Sequence, residues 1–290
     1  MISCDPAGAW PAPAKLNLML HVLGRRDDGY HCLQTVFQLL DFGDELQFFP
    51  SDDPAVLREG DLEGVSADDD LCVRAARLLQ ARSGYTGGVR IRLRKSVPIG
   101  AGMGGGSSDA ATTLVALNHI WETGFARNDL AELGLTLGAD VPVFIQGRSA
   151  WGEGVGEVLT PMALPQHWFL IVVPACSVAT GEIFAAPELT RNSPPTTIAG
   201  FLARGGSNDC EAIVRRRYPP VAAALEWLGQ YTRARLTGTG GAVFASFETE
   251  SEARRVLAAC PPELRAFVAR GVNESPLEAR LATARAARRQ

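Results

Sequence analysis

Five of the seven residues from Gly100 to Gly106 are glycine, and they join an alternating strand pattern to a helix pattern with no spacer between. A segment so poor in Cβ atoms cannot fix its shape by packing its own side chains. It can turn sharply and bring consecutive backbone N–H groups onto one point. The segment 98–111, Pro-Ile-Gly-Ala-Gly-Met-Gly-Gly-Gly-Ser-Ser-Asp-Ala-Ala, runs into helix-forming residues from about Ser107. The unpaired first-turn amides of that helix, and the positive end of its dipole, complete a cradle for phosphate. Ser107 and Ser108 add hydroxyls suited to phosphate or Mg²⁺. A flexible linker is the plain alternative, but linkers are not flanked so tightly by a strand pattern and an apolar helical one.

Gly100, Gly102 and Gly105 satisfy the GxGxxG spacing of a dinucleotide fold, with Glu122 not far from where its ribose acid would lie. The strand ahead of them argues otherwise. A first strand buried on both faces is continuously apolar, whereas 89–95, Val-Arg-Ile-Arg-Leu-Arg-Lys, alternates and so has one wet face, as in an antiparallel sheet. A Walker-type P-loop fails more plainly: no Gly-Lys-Ser/Thr follows the glycines, and the nearby Lys95 precedes them.

The 290 residues are 46% hydrophobic and 21% charged, enough for a substantial core in two ordinary domains. A net charge of −4 gives no global electrostatic reason to bind nucleic acid or an anionic membrane, so any polyanion site is local. Cys4, Cys32, Cys72, Cys176, Cys210 and Cys260 are scattered with no CxxC pair or metal-ligand rhythm, as suits reduced thiols in a cytoplasm. The opening Met-Ile-Ser-Cys-Asp-Pro lacks the basic and apolar regions of a signal peptide. The apolar run 168–174 has strand length and ends in proline, far short of a membrane span.

Along the chain, 14–22 alternates, placing Lys15, Asn17 and Met19 on one strand face and Leu16, Leu18 and Leu20 on the other. A turn at 25–31 leads to strands at 33–40 and 44–49, linked as hairpins. A helix follows at 71–79, then the basic strand, the glycine loop with a helix to about Trp121, and a short helix at 130–137. Residues 147–159 form a glycine-punctuated strand pair, and the prolines at 161–165 place a boundary between domains 1–160 and 161–290. The second holds the strand at Trp168, a loop at 191–197, a helix at 221–230 and a strand, glycine turn and strand from Arg233. After Leu277 an Ala/Arg-rich end reads as a solvated helix or frayed tail. Mixed helices and hairpins give an α+β class.

These residue types suggest phosphoryl transfer, although Lys15, Asp140 and the two glycine loops are far apart in sequence. Asp140, just ahead of Pro142, suits a helix start as well as a reaction. Five motifs together are more specific: Pro-Ala-Lys-Leu-Asn-Leu at 13–18, Arg-Arg-Asp-Asp-Gly-Tyr-His at 25–31, the segment 98–111, Gly-Ala-Asp-Val-Pro at 138–142 and Leu-Thr-Gly-Thr-Gly-Gly at 236–241. In these the chain resembles the GHMP small-molecule kinases, from Pro13 to about Phe247. The resemblance implies an N-terminal domain like ribosomal protein S5, a ferredoxin-like C-terminal domain and an active site between them. It also implies ATP as co-substrate, with Mg²⁺ arriving on it and no protein ligand set identified for the metal.

By that resemblance Lys95, Pro98, Ile99, Gly100, Ala101, Gly102, Met103, Gly104, Gly105, Gly106, Ser107 and Ser108 would bind ATP. Asp140 would be the catalytic aspartate that receives the substrate proton, and Lys15 the lysine that holds it. The lysine and Tyr-His segments select, within the family, phosphorylation of the 2-hydroxyl of a cytidylyl-methylerythritol, a step in non-mevalonate isoprenoid synthesis. Asn17 would then touch substrate near the reacting hydroxyl, Tyr30 and His31 would contact the cytosine, Phe184 would sandwich it, and Thr180 would lie close by. The late loop at 237–244 would close against the first glycine loop. The expected protein is a cytoplasmic monomer or homodimer whose partner is a small molecule, neither nucleic acid nor membrane.

Overall fold

The computed structural model describes residues 8–60, 65–66 and 68–289; Cys4 and the opening segment lie outside them. The first half of the chain forms β1 (Trp10–Arg25), β2 (His31–Ser51), β3 (Val56–Glu59), α1 (Leu71–Ser83), β4 (Gly88–Arg94), α2 (Gly105–Ile120), α3 (Arg127–Leu135), α4 (Val141–Gln146), β5 (Ala150–Glu153) and β6 (Val158–Pro161). The second half forms β7 (Trp168–Val173), α5 (Thr180–Ala185), α6 (Ile198–Arg204), α7 (Glu211–Arg217), α8 (Pro219–Gly229), β8 (Arg235–Leu236), β9 (Val243–Phe247), α9 (Glu250–Leu257), β10 (Arg265–Val272) and α10 (Pro276–Ala287). The class is α+β, and no helix among the described residues is long and apolar enough to cross a membrane.

One strand organises the sheet. β2 pairs antiparallel with β1 along one edge and with β5, β10 and β4 in turn along the other. The separate strands expected at 33–40 and 44–49 are this single strand of 21 residues. It runs through Gly43 because its missing Cβ lets it lie against the backbone of Ala12 and Pro13 on β1, where a side chain has no room. Through β10 the sheet continues into β7, β9 and β8 of the second half.

Register shifts between Pro13 and Lys15 and between Asn17 and Met19 bracket the Lys15–Asn17 segment of β1. Bulges re-aim side chains, and this pair explains why the alternation does not extend to Met19. Met19 is fully buried with Val36 and Trp151 instead of continuing the polar face of Lys15 and Asn17.

Asp70 starts α1 by accepting from the amide of Cys72, and Gly84 ends it in the left-handed conformation. α2 begins two residues before the expected Ser107 and is buried on all sides from Ser108 to Leu117. It is the central rod of the first core. Leu277 and Leu281 of α10 belong to that same core, and the Arg280 guanidinium lies 4.6 Å from the Trp10 ring. Of the solvated helix or frayed tail expected after Leu277, the helix forms, and it is packed because Leu277 and Leu281, about one turn apart, meet the first half of the chain. A second core gathers β7, β9, α7 and α8. A third joins the halves, with Leu16, Ala101 and Met103 packed against Phe169, Ile171 and Phe244.

Leu277→Ala is expected to reduce the unfolding free energy by about 2–5 kcal/mol, measured as a fall in the urea midpoint. A loss below about 0.5 kcal/mol, as at an ordinary surface position, would contradict the packing of α10.

Candidate active site

Lys15 is carried into the interior by β1, where its side chain is 3% exposed. Its Nζ donates to Asn17 Oδ1 at 2.5 Å and to the Gly102 carbonyl at 3.1 Å, and lies 3.2 Å from Asp140 Oδ2. Three acceptors for three donors is what a buried ammonium requires. The amide of Asn17 is oriented in turn: its Nδ2 donates to Thr35 Oγ1 at 2.8 Å, and that hydroxyl donates to the Met19 carbonyl at 2.6 Å. Thr35, which has no motif signature in the sequence, thereby fixes which end of Asn17 faces the lysine.

Asp140 stands at the start of α4, yet its side chain makes no capping hydrogen bond. The helix-start reading therefore explains its position and not its carboxylate. That carboxylate is about one-third exposed and is held on one side by Lys15.

The glycine loop is fixed from both halves of the chain. The Lys15 amide donates to the Met103 carbonyl at 3.0 Å, and the Ala242 amide donates to the Ala101 carbonyl, also at 3.0 Å. Gly102 has a φ of +72°, and a Cβ there would fall 2.6 Å from the Thr237 carbonyl oxygen. The late glycine loop thus closes against the first, backbone to backbone. The first hydrogen bond of α2 runs from the Ser108 amide to the Gly104 carbonyl at 2.8 Å, so the amides of Gly105, Gly106 and Ser107 precede the intrahelical ladder. Ser107 Oγ lies 3.7 Å from the Cβ position of Gly138, between this loop and the Asp140 turn. Ser108 differs from its sequence expectation, since its hydroxyl is fully buried and its amide is spent on the helix. A cavity of about 230 Å³ runs along the loop from Pro98 to Gly106.

Lys95 lines the same cavity but is not free. Its Nζ donates to Asp44 Oδ2 at 2.5 Å and to Asp109 Oδ2 at 2.8 Å. Asp44 is well supplied, accepting also from the amides of Ser96 and Val97 at 2.5 and 2.8 Å. Asp109 is not, for its Oδ1 is buried without a partner. Burial, aided by the Asp44 charge and opposed by Lys95, pushes its pKa up to about 8. For Lys95 burial acts downward, but Asp109 and Asp44 outweigh it and its pKa rises. Sequence reading passed over both aspartates because each lies in a segment explained by something else, a strand end and the first turn of a helix.

Tyr30, His31, Thr180 and Phe184 come together in a second cleft of about 400 Å³ that also touches Ala139, the residue before Asp140. The His31 and Phe184 rings stack at 5.2 Å with 25° between planes. They touch each other, so the pair offers an outer ring face and no slot for a ring between them. Tyr30 is 63% exposed beside them, and the Thr180 hydroxyl is 2.7 Å from that of Thr239 on the late loop. Arg191, unmarked in the sequence reading, donates to His31 Nε2 at 3.1 Å. Burial first, then Arg191 and Arg25, hold the imidazole pKa below its ordinary value. The Lys15–Asp140 pair therefore lies between the glycine loop and an aromatic cleft. Among the described residues no group of three His, Cys, Asp or Glu side chains is placed to hold a metal.

The chain is similar to known proteins in sequence and in fold. Residues 70–148 match the model of the GHMP kinases N terminal domain and residues 188–264 that of the GHMP kinases C terminal domain. The 4-diphosphocytidyl-2-C-methyl-D-erythritol kinase of Nitrosococcus oceani is 58% identical over 268 residues, covering 92% of this chain and 96% of the relative. That of Halorhodospira halophila is 56% identical over 278 residues, covering 95% and 96%. Among solved structures, a 4-(cytidine 5'-diphospho)-2C-methyl-D-erythritol kinase superposes with a TM-score of 0.79 at 35% identity, over 91% of this chain and 99% of the other.

The raised pKa of Asp109 has a testable sign. An unfolded aspartate titrates near about 3.9, so between there and about 8 the folded chain holds a proton that the unfolded chain has lost. This contribution to stability is complete below the unfolded value and disappears as pH rises through the folded one. Asp109→Asn mimics the protonated acid, so its melting temperature is expected to gain on the parent's between about pH 6 and about pH 9. A constant difference across that range would mean that Asp109 is ionised throughout.

Proposed function

The chain belongs to the GHMP kinases, and from that membership we propose that it transfers the γ-phosphoryl group of ATP to the 2-hydroxyl of 4-diphosphocytidyl-2-C-methyl-D-erythritol. The products are the 2-phosphate and ADP, and the step serves non-mevalonate isoprenoid precursor synthesis. The observation that carries this reading is the position of the Lys15–Asp140 pair, 3.2 Å apart, between the glycine loop and the cleft of Tyr30, His31 and Phe184.

Triphosphate oxygens fit the loop because the amides of Gly105, Gly106 and Ser107 face them at the positive end of the sixteen-residue helix α2. The glycine positions are needed for this approach: a Cβ at Gly105 would fall 3.2 Å from Lys95 Nζ, and one at Gly104 would meet the Phe144 ring at 2.8 Å. Mg²⁺ bound to ATP neutralises triphosphate charge, and the half-buried Ser107 hydroxyl is the protein oxygen placed to meet it. Ser108 takes no part through its side chain.

The cytosine lies in the aromatic cleft with its edge towards the His31 ring and the exposed Tyr30 ring closing over its face. This seats the polyol towards Ala139 and hence towards Asp140. A carboxylate is a weak equilibrium base for an alcohol. Asp140 accordingly orients the hydroxyl for in-line attack and takes its proton late in a loose transition state. Lys15 holds Asp140 on one side and offers positive charge to the reacting oxygens on the other. Asn17 keeps the ammonium in register. Cys32, Cys72, Cys176, Cys210 and Cys260 are all unpaired thiols, which supports a reducing, cytoplasmic setting.

ADP release is expected with the cytidine substrate and absent with homoserine, mevalonate or no acceptor. Asp140→Asn is expected to lower kcat by about 10²–10⁴-fold in a protein that remains folded, with a lowered melting temperature because the buried Lys15 loses its anionic partner. Release with mevalonate or homoserine instead would overturn the substrate, and full activity in Asp140→Asn would overturn the role of the carboxylate.

A further inference from the structure

We propose that Arg191 is a positioning residue that locks the His31 imidazole as the neutral tautomer protonated on Nδ1, making that nitrogen a fixed hydrogen-bond donor of the aromatic cleft. The use of that donor on a pyrimidine rests on the function proposed above; the tautomer itself does not.

Arg191 sits in the loop between α5 and α6 and is anchored by three backbone carbonyls. Its Nη1 donates to Leu189 at 3.1 Å, and its Nη2 to Phe184 at 2.9 Å and Ala186 at 2.7 Å. These bonds bind the guanidinium to the C-terminal end of the helix that carries Phe184. The remaining contact crosses to the first half of the chain, where Nε donates to His31 Nε2 at 3.1 Å. One side chain thus fixes both members of the ring stack relative to each other.

A guanidinium has donors and no acceptor, and it keeps its charge in proteins. Whichever imidazole nitrogen faces it must therefore present a lone pair, and the proton of a neutral ring must sit on the other. The charged groups felt by the ring, Arg191 and Arg25, act in the same direction as its burial and disfavour the imidazolium. Among the described residues Nδ1 has no hydrogen-bond partner. The His31 ring lines the cleft beside Tyr30 and Thr180, where a ligand meets it. The cleft consequently presents a donor whose ring is held by Arg191 and whose charged form is disfavoured by burial and by the neighbouring arginines. Such a donor suits the ring nitrogen N3 of cytosine, which is an acceptor, whereas uracil carries N–H at N3.

The deciding experiment is a long-range ¹⁵N–¹H correlation spectrum of the uniformly ¹⁵N-labelled protein, with the His31 signals assigned through His31→Gln. The expected spectrum of the parent has protonated Nδ1 and unprotonated Nε2 at His31. Arg191→Met is expected to release the ring to protonation on Nε2 and to raise its titration midpoint, whereas Arg191→Lys, which also only donates, retains the parental tautomer. In steady-state kinetics Arg191→Met is expected to raise KM for the cytidine substrate by about tenfold, the worth of one lost hydrogen bond, with kcat and the KM for ATP unchanged. A parental His31 protonated on Nε2, or one whose tautomer survives Arg191→Met, overturns the proposal whatever the kinetics. If the cytidine substrate proves not to be phosphorylated, the spectrum still decides the tautomer, so the two readings fail separately.

Discussion

Everything at the centre of this molecule depends on holding one ammonium group out of water. Lys15 Nζ is almost wholly enclosed, and removing such a charge from solvent costs several kcal/mol even after relaxation. The structure offsets that cost with three acceptors drawn from three places: Asn17 on the same strand, Gly102 on the phosphate loop and Asp140 at the start of α4. Because each partner belongs to a different element, the charge works as a register pin. Move the loop or the helix, and a buried cation loses a partner. The geometry needed for transfer is thereby tied to the stability of the fold.

That pin tolerates little slack around it, and the two glycine loops show how slack is removed. Gly102 faces the carbonyls of Thr237 and Gly240, and Gly241 faces Gly100 and Ala101, at separations no side chain allows. Beneath them the apolar layer of Leu16, Met103, Phe169 and Phe244 joins both halves of the chain. Ala101 and Met103 pack into that layer, and the glycines around them are held by backbone contact across the gap. Thr237 adds its hydroxyl, which accepts from the Asn17 amide at 3.0 Å and so reaches the strand that bears the lysine.

Much of this was legible in the sequence wherever local pattern decides structure. The alternation at 89–95 announced β4, the glycine run announced a tight loop leading into α2, and motif resemblance placed Lys15 beside Asp140. What escaped was set by tertiary contact. Gly43 reads as a strand break until β1 is found lying against it. Met19 reads as part of a polar face until the bulge after Asn17 takes it into the core. The Ala/Arg-rich end reads as solvated because its two core leucines are diluted among charges, and only the fold reveals that Leu277 and Leu281 point the same way. Thr35, Asp44, Asp109 and Arg191 act through partners 14 to 160 residues away, a separation that no window of sequence spans.

The site divides into parts with different freedom to change. Lys15, Asn17 and Asp140 lie on a strand and a helix start of the first half, and the late loop of the second half only seals them. The acceptor cleft is assembled from segments outside the regular elements or at their ends: Tyr30 from the hairpin turn, His31 from the start of β2, Phe184 from a six-residue helix and Arg191 from the loop after it. Residues on such segments can be replaced without disturbing a sheet, whereas a change at Lys15 leaves buried acceptors unpaired. On the function proposed here, such a kinase can change its acceptor while the Lys15–Asp140 pair stays fixed. The constraint on such change is the Arg191 clamp, since it joins His31 to the Phe184 helix by hydrogen bonds, and altering it disturbs both rings together.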